Sequence, residues 1–387
     1  MKKLLQSDAF KNFGSSAIAI LIGLLIGAVV IFISNSSEAL DGLRTLLAGP
    51  VEDGTLGIGR VLYYAVPIIM TGLSVGFAFK TGLFNIGTPG QFIIGAFAAV
   101  YVGVKWTFLP GSIHWLVAIL AAFIAGGLWA VIPGVMKAYL NVNEVISSIM
   151  MNYIGMYLVN YSVSLVLFDA LRNQSLPVAS TAVIPKMGFD KMFTGSPANG
   201  GFVIAILFVI LIYIVLNKTS FGYEMKACGF NKDASKYAGI NEKRNIILSM
   251  VIAGALAGVG GGLLYLSGSG KFIEVVDVLP AEGFNGIPVA LLGLSNPIGV
   301  LFAGLFIAYL NVGGNAMQQF GFIPQIVDII ISCIIYCSAL SLMIKVWLSK
   351  RRKTKELAQR KRKVSKLWIQ YSFWYSRHGF SPFRCWS

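Results

Sequence analysis

Nothing constrains this chain more than the recurrence of apolar windows about 20 residues long along most of its length. Roughly 20 apolar residues let a helix cross ~30 Å of hydrocarbon, and backbone amides can be hidden in lipid only inside helices or a closed barrel. The clear windows run Ser16 to Ser34, Val61 to Phe79, Phe84 to Val104, Trp115 to Met136, Val145 to Phe168, Gly201 to Leu216, Asn245 to Leu266 and Ile323 to Ile344. Two weaker windows, Pro280 to Leu294 and Ile298 to Val312, are short and rich in Gly and Pro, which predicts broken or re-entrant helices. With 56% hydrophobic and only 12% charged residues, the chain reads as an all-α polytopic membrane protein of about 8–10 transmembrane helices.

The first window follows Lys2, Lys3 and Lys11. It exceeds the apolar run of a signal peptide and no small-residue cleavage site follows, so it is expected to stay as the first helix. Orientation comes from Lys and Arg, which accumulate in short cytoplasmic loops. The N-terminus, Lys80, Lys137, the segment Lys218 to Arg244 and the C-terminal tail are all expected inside, with both termini cytoplasmic. The other loops, carrying Glu38, Asp41, Glu52, Asp53, Asp169 and Asp190, suit the outer face. The expected division is a cytoplasmic N-terminus (1–15), a transmembrane domain (16–344) with a cytoplasmic loop (217–244), and a basic then aromatic tail (345–387).

The formal charge of +15 does not imply nucleic acid, because ten Lys or Arg lie between Lys350 and Lys366. A juxtamembrane cluster of that kind anchors a helix end against the anionic bilayer surface. The four cysteines, Cys228, Cys333, Cys337 and Cys385, form no disulfide framework, and Cys333 with Cys337 lacks the additional ligands a metal site requires. The two histidines, His114 and His378, stand near no carboxylate pair or nucleophile, and no phosphate-binding GxxxxGK[ST] loop occurs. No catalytic residue, metal or cofactor is therefore expected, and energised work must draw on a partner or an ion gradient. An ion-driven carrier places acids at membrane depth, but Glu144 and Asp328 lie near helix ends and Glu274, Asp277 and Glu282 lie in a loop or helix entrance.

The polar residues within the spans are neutral: Asn85, Gln91, Asn152, Asn160 and Asn311. Amide side chains offer donors and acceptors together, which suits a neutral hydrogen-bonding solute. Asn85 and Gln91 lie in FNIGTPGQF, where Pro89 removes a backbone donor and Gly87 and Gly90 weaken a helix. A helix broken there exposes backbone polarity that only protein, water or a solute path can satisfy, so the segment is expected along a translocation pathway or its cytoplasmic gate.

The longest basic loop reads FGYEMKACGFNKDASKYAGINEKR. Asp233, following Asn231, can act as the N-terminal cap or first-turn acid of a short helix over Ala234 to Ala238, which Gly239 ends. Here the chain resembles the permease subunits of ATP-binding-cassette importers, whose signature of Glu-Ala-Ala, a few residues and Gly forms a coupling helix. The corresponding residues are Asp233, Ala234 and Ser235, followed by Ala238, Gly239 and Ile240. FKTGLFNIGTPGQ and MKAYLNVNEVISSIMMNYI are similar to the nucleoside-importing subgroup, related to branched-chain amino acid and ribose permeases, with Pro89 where many relatives have Glu. The resemblance covers roughly residues 60–345. It implies a bacterial inner or plasma membrane subunit working with a second permease, two cytoplasmic ATP-binding subunits, and an extracellular lipoprotein or periplasmic binding protein. Ribose or another simple sugar, or a branched-chain amino acid, is the alternative solute, and an ion-coupled carrier the alternative class.

Overall fold

The computed structural model describes residues 8–323 and 325–337. The helices are α1 (Asp8–Ser34), α2 (Ala39–Glu52), α3 (Gly54–Lys80), α4 (Thr88–Lys105), α5 (Gly111–Leu140), α6 (Glu144–Val166), α7 (Gly201–Lys218), α8 (Ser220–Phe230), α9 (Lys232–Tyr237), α10 (Glu242–Tyr265), α11 (Gly286–Leu292), α12 (Pro297–Ala316) and α13 (Gln325–Cys337), with single helical turns at Phe189–Met192 and Ala281–Phe284. A two-residue hairpin, β1 (Phe168–Asp169) with β2 (Gln174–Ser175), is antiparallel. Residues 21–335 form one compact unit, and the packing described below lies within it; residues 8–20 outside it are helical. Lys2, Lys3, the last apolar window beyond residue 337, His378, Cys385 and the whole tail 345–387 lie outside the described residues.

Among the described residues six helices, α3, α5, α6, α7, α10 and α12, are long and apolar enough to cross a membrane. Ile20–Ser34 of α1 and the described residues of α13, Gln325–Cys337, are apolar helix as well, and α4 spans 18 residues. This is an all-α polytopic membrane protein. Its centre is α3 and α10, the most enclosed of the long helices, with α10 packed against α5, α4 and α3, and α12 against α3.

Lipid supplies no hydrophobic drive between helices, so contact depends on how closely backbones approach. In α10 the run GALAGVGGG supplies that approach: a Cβ at Gly258 would collide with the Ala122 carbonyl, and one at Gly254 would stand 2.5 Å from the Gly126 carbonyl oxygen. Facing glycines thus seat α10 against α5.

The two weak windows part company. Pro280 to Leu294 is broken, into the turn Ala281–Phe284 and then α11. It is followed by Leu294 and Ser295 in the left-handed region (φ 54° and 52°), conformations that side chains adopt at a cost. Ile298 to Val312, by contrast, lies in the single continuous helix α12. Pro297 sits at its start, where a missing amide costs nothing, and Asn296 caps it by accepting from the Ile298 amide at 3.0 Å. The segment before α3, expected as outer loop, folds as α2, with Ala39, Gly42, Thr45, Leu46 and Gly49 buried on one helical stripe against α12.

The segments expected inside, around Lys80, Lys137 and 217–244, gather at one end of the bundle. There they enclose a cavity of about 240 Å³ lined by Thr81, Lys137, Met225, Cys228, Lys232 and Asn245 among others. At the opposite end the β1–β2 hairpin is tied to the loop after α10, with Ser175 and Ile273 exchanging bonds: Ser175 N to Ile273 O at 2.8 Å and Ile273 N to Ser175 Oγ at 3.1 Å.

Candidate functional site

The loop between α3 and α4 folds back into the bundle. Its first residues lie against α8, since a Cβ at Gly82 would stand 2.5 Å from the Gly229 Cα, while Asn85 reaches Ser74, well inside α3. Gly82, at φ 77°, makes the turn that this reversal needs. Pro89 does not break the fourth helix as the sequence had implied. It occupies the first turn of α4, where its fixed φ assists the start, and the interruption lies before the helix.

Three of the four expected pathway residues meet at this junction. Asn85 Nδ2 donates to Gln91 Oε1 at 2.7 Å, and Gln91 Nε2 donates back to Asn85 Oδ1 at 3.1 Å. Asn85 Nδ2 also reaches Ser74 Oγ at 3.1 Å, and its Oδ1 accepts from the Gly87 amide at 3.2 Å. Asn152 on α6 clamps the turn from the other side: its Nδ2 donates to Ile86 O and its Oδ1 accepts from the Gly90 amide, each at 2.9 Å. Gly90 N belongs to the first turn of α4, so Asn152 satisfies a donor that has no partner within the helix.

All three side chains are buried, and their polar atoms are engaged with one another and with the turn. The backbone polarity expected to face a path is instead covered in this conformation. One group stands apart: Ser148 Oγ, a turn before Asn152 and beside Gly87, is buried without a hydrogen-bond partner. The turn Ala281–Phe284 closes the other flank, with Gly283 pressed against Pro89 so tightly that a Cβ would collide with the Pro89 backbone. Asn160 lies elsewhere. It is two turns further along α6 and bonds Val276 O at 2.9 Å and Asp277 Oδ1 at 3.1 Å.

The basic-loop helix is present and starts two residues earlier than expected, ending one residue earlier. α9 covers Lys232–Tyr237; Asn231 caps it by accepting from the Ala234 amide at 2.9 Å, and Asp233 sits in the first turn without a capping bond. Ala238 is the C-cap residue, so Ala234 and Ala238 are not both within the helix. Ile240 N donates to Ser235 O at 3.1 Å and Gly239 N to Lys236 O at 3.0 Å, with Gly239 at φ 80°. This pair of bonds is the Schellman stop, in which glycine adopts the left-handed conformation without strain. Ser235 faces inward, towards Cys228, whereas Asn231, Asp233, Ala234, Ala238 and Gly239 are exposed. Tyr237 and Phe230 are 95% and 88% exposed, a large apolar offering at the end of the bundle.

A polar cluster at the opposite end was not foreseen. Lys271 Nζ pairs with Glu282 Oε1 at 3.3 Å, and Tyr63 Oη bonds Ser269 Oγ at 2.7 Å. Burial alone would push the Lys271 ammonium down, but the Glu282 carboxylate offsets this and holds it above its ordinary value. The sequence held Glu282 and Lys271 eleven positions apart, with nothing to show that the turn at Ala281 brings them together.

A family model described as branched-chain amino acid transport system, permease component, matches residues 57–339. The guanosine ABC transporter permease protein NupP of Bacillus subtilis is 37% identical over 87% of this chain and 95% of its own. The nucleoside ABC transporter permease protein NupB of Lactococcus lactis is 34% identical over 90% and 96%. The glucose ABC transporter permease protein TsgB13 of Haloferax volcanii is 31% identical over 84% and 87%. No solved structure matches the chain. The match across 57–339 takes in the junction, α9, five of the six long spans and all but the first three residues of α3, and the chain belongs to the permease-component family of branched-chain amino acid transport systems.

Proposed function

We propose that this protein is a nucleoside-importing permease subunit of a bacterial plasma-membrane ABC transporter. It would work with a second permease, two cytoplasmic ATP-binding subunits and an extracellular binding lipoprotein or periplasmic binding protein. The observation that carries the solute class is the near full-length similarity to NupP and NupB, whose names specify guanosine and nucleosides. The neutral amide cluster Asn85, Gln91 and Asn152 supports it, since a path for an uncharged solute needs hydrogen-bonding groups and no membrane-depth charge.

α9 serves as the coupling element. Its exposed face, bracketed by Tyr237 and Phe230, offers a short helix for an ATP-binding subunit to grip, and its seat against Cys228 leads toward the cavity beneath the α3–α4 loop. When the ATP-binding subunits close, α9 transmits the movement to α8, and through the Gly82–Gly229 contact to the junction at Asn85. The junction opens by exchanging the Asn152 bonds to Ile86 and Gly90, and the solute passes without covalent change.

The test is uptake of radiolabelled guanosine and uridine by cells carrying the chain with its neighbouring transporter genes, set against cells lacking the chain alone. Nucleoside uptake that requires the chain and is competed by unlabelled nucleosides but not by ribose, glucose or leucine supports the proposal. Uptake competed by a sugar alone overturns the solute class.

A further inference from the structure

Three helices, α4, α5 and α6, leave an apolar groove of about 530 Å³ on the flank of the bundle. Ala98, Ala121 and Ala125 keep its floor low, and Phe97, Tyr101 and Trp129 raise its walls. It runs along α4 from Ile94 to Trp106, ~18 Å at the helical rise and close to one leaflet of a ~30 Å hydrocarbon layer. The leaflet is the one away from the Lys80 and Lys137 end, because α4 starts near that end and finishes at Trp106.

We infer that the groove is a binding site for one phospholipid, with an acyl chain laid along Ile94 to Trp106 and the phosphate at Lys105. Two features of the groove mouth and one of its lining select this occupant. Trp106 is 40% exposed there, an amphipathic ring at the depth where headgroups begin. Lys105 is exposed next to it in the chain, and among the described residues no carboxylate lies within ion-pair distance of its ammonium, which leaves it open to a phosphate. The groove lining below the mouth is apolar throughout, as an acyl chain requires and a polar solute does not. The site bears on the junction. Trp129 forms a groove wall and donates its Nε1–H to Met151 O at 3.2 Å, next to Asn152, so a chain packed on Trp129 steadies the α5–α6 contact from which Asn152 grips the turn.

The test extracts the chain from native membranes with whatever subunits accompany it and reads retained lipid by native mass spectrometry. The wild-type chain is expected to keep a phospholipid through detergent exchange. Lys105→Gln should weaken its retention about fivefold, the ~1 kcal/mol of one lysine at an anionic headgroup. Ala125→Trp, which fills the groove, should abolish it. A photo-crosslinking residue at Ala98 reads the same groove without closing it and should capture lipid. Equal retention by wild type and both variants would overturn the assignment. So would capture of another protein subunit from Ala98, which would make the groove a subunit interface.

Discussion

Asn85→Leu, Gln91→Leu and the double variant form a cycle whose outcome follows from the reciprocal pair of amide bonds at 2.7 and 3.1 Å. Both side chains are essentially unexposed, at 0% and 1%, so water cannot replace a lost partner. A buried polar group left alone costs about 1–3 kcal/mol. Asn85→Leu strands both ends of the Gln91 amide and also deprives Ser74 and Gly87. Gln91→Leu is milder, because Asn85 keeps Ser74 and the Gly87 amide. The double variant strands no amide from the pair, so its destabilisation should fall short of the sum. Bonds inside membrane bundles average ~0.6 kcal/mol in such cycles, so two of them set a coupling of about 1 kcal/mol, above the ~0.3–0.5 kcal/mol scatter of independent sites. The assay is denaturant unfolding of the chain in lipid discs, with nucleoside uptake measured in parallel. Both single variants should insert normally and transport poorly. Strict additivity of the unfolding energies would show that the two amides do not act as one unit, and unchanged uptake in both single variants would remove the junction from the pathway.

The α9 stop separates strain from collision, because a side chain at Gly239 meets nothing within 4 Å. Gly239→Asn should therefore preserve uptake, since Asn tolerates the left-handed region, whereas Gly239→Val should uncouple ATP hydrolysis from uptake at a backbone cost of ~1–3 kcal/mol; equal coupling in both would contradict the Schellman role. Gly258→Leu should abolish folded yield because α5 and α10 must separate to admit it, while Leu256→Met, a volume-conserving change on the same helix, should express; comparable detergent-stable yields would refute the glycine seat. For the Lys271–Glu282 pair the lysine is raised, so its contribution is fully present below the ordinary ammonium value and is lost only as pH rises through the raised one. The melting difference between wild type and Lys271→Met should therefore hold steady from pH 7 to pH 9 and stay small, ~0–1 kcal/mol for a partly exposed pair; a difference that vanishes within that window contradicts the assignment.

Membrane residence, helical class and the rough placing of the spans were legible because hydrocarbon thickness sets a length that composition alone reports. The α9 stop was legible as well, since Gly239 acts within a few residues of where it stands, whereas the cap is Asn231 and Asp233 is a first-turn acid. Glycine and proline content was a poorer guide to continuity. Pro89 begins α4 and so does not interrupt the helix it was read as weakening, and the window 298–312 is one continuous helix behind Pro297, whereas 280–294 is broken around Asn285. Even an interior proline leaves a helix continuous here, since Pro67 and Pro133 lie within α3 and α5, so proline content does not report where a span breaks. The junction was legible as a set of neutral amides but not as an arrangement. Asn152 meets Gly90 across 62 positions, whereas Asn160, equally polar and on the same helix, faces the opposite end. α2 escaped notice because its buried stripe of Ala, Gly and Thr is small-residue packing against α12, which leaves little hydropathy signal.

The most direct measurement is guanosine flux into proteoliposomes holding this chain with its partner permease, ATP-binding subunits and binding protein. Uptake should require enclosed ATP on the ATP-binding side, persist when ion gradients are collapsed by ionophores, and stop in Ala234→Arg while hydrolysis continues or the ATP-binding subunits dissociate. Uptake driven by a sodium or proton gradient without ATP, with Ala234→Arg as active as the wild type, would contradict this and make the chain an ion-coupled carrier.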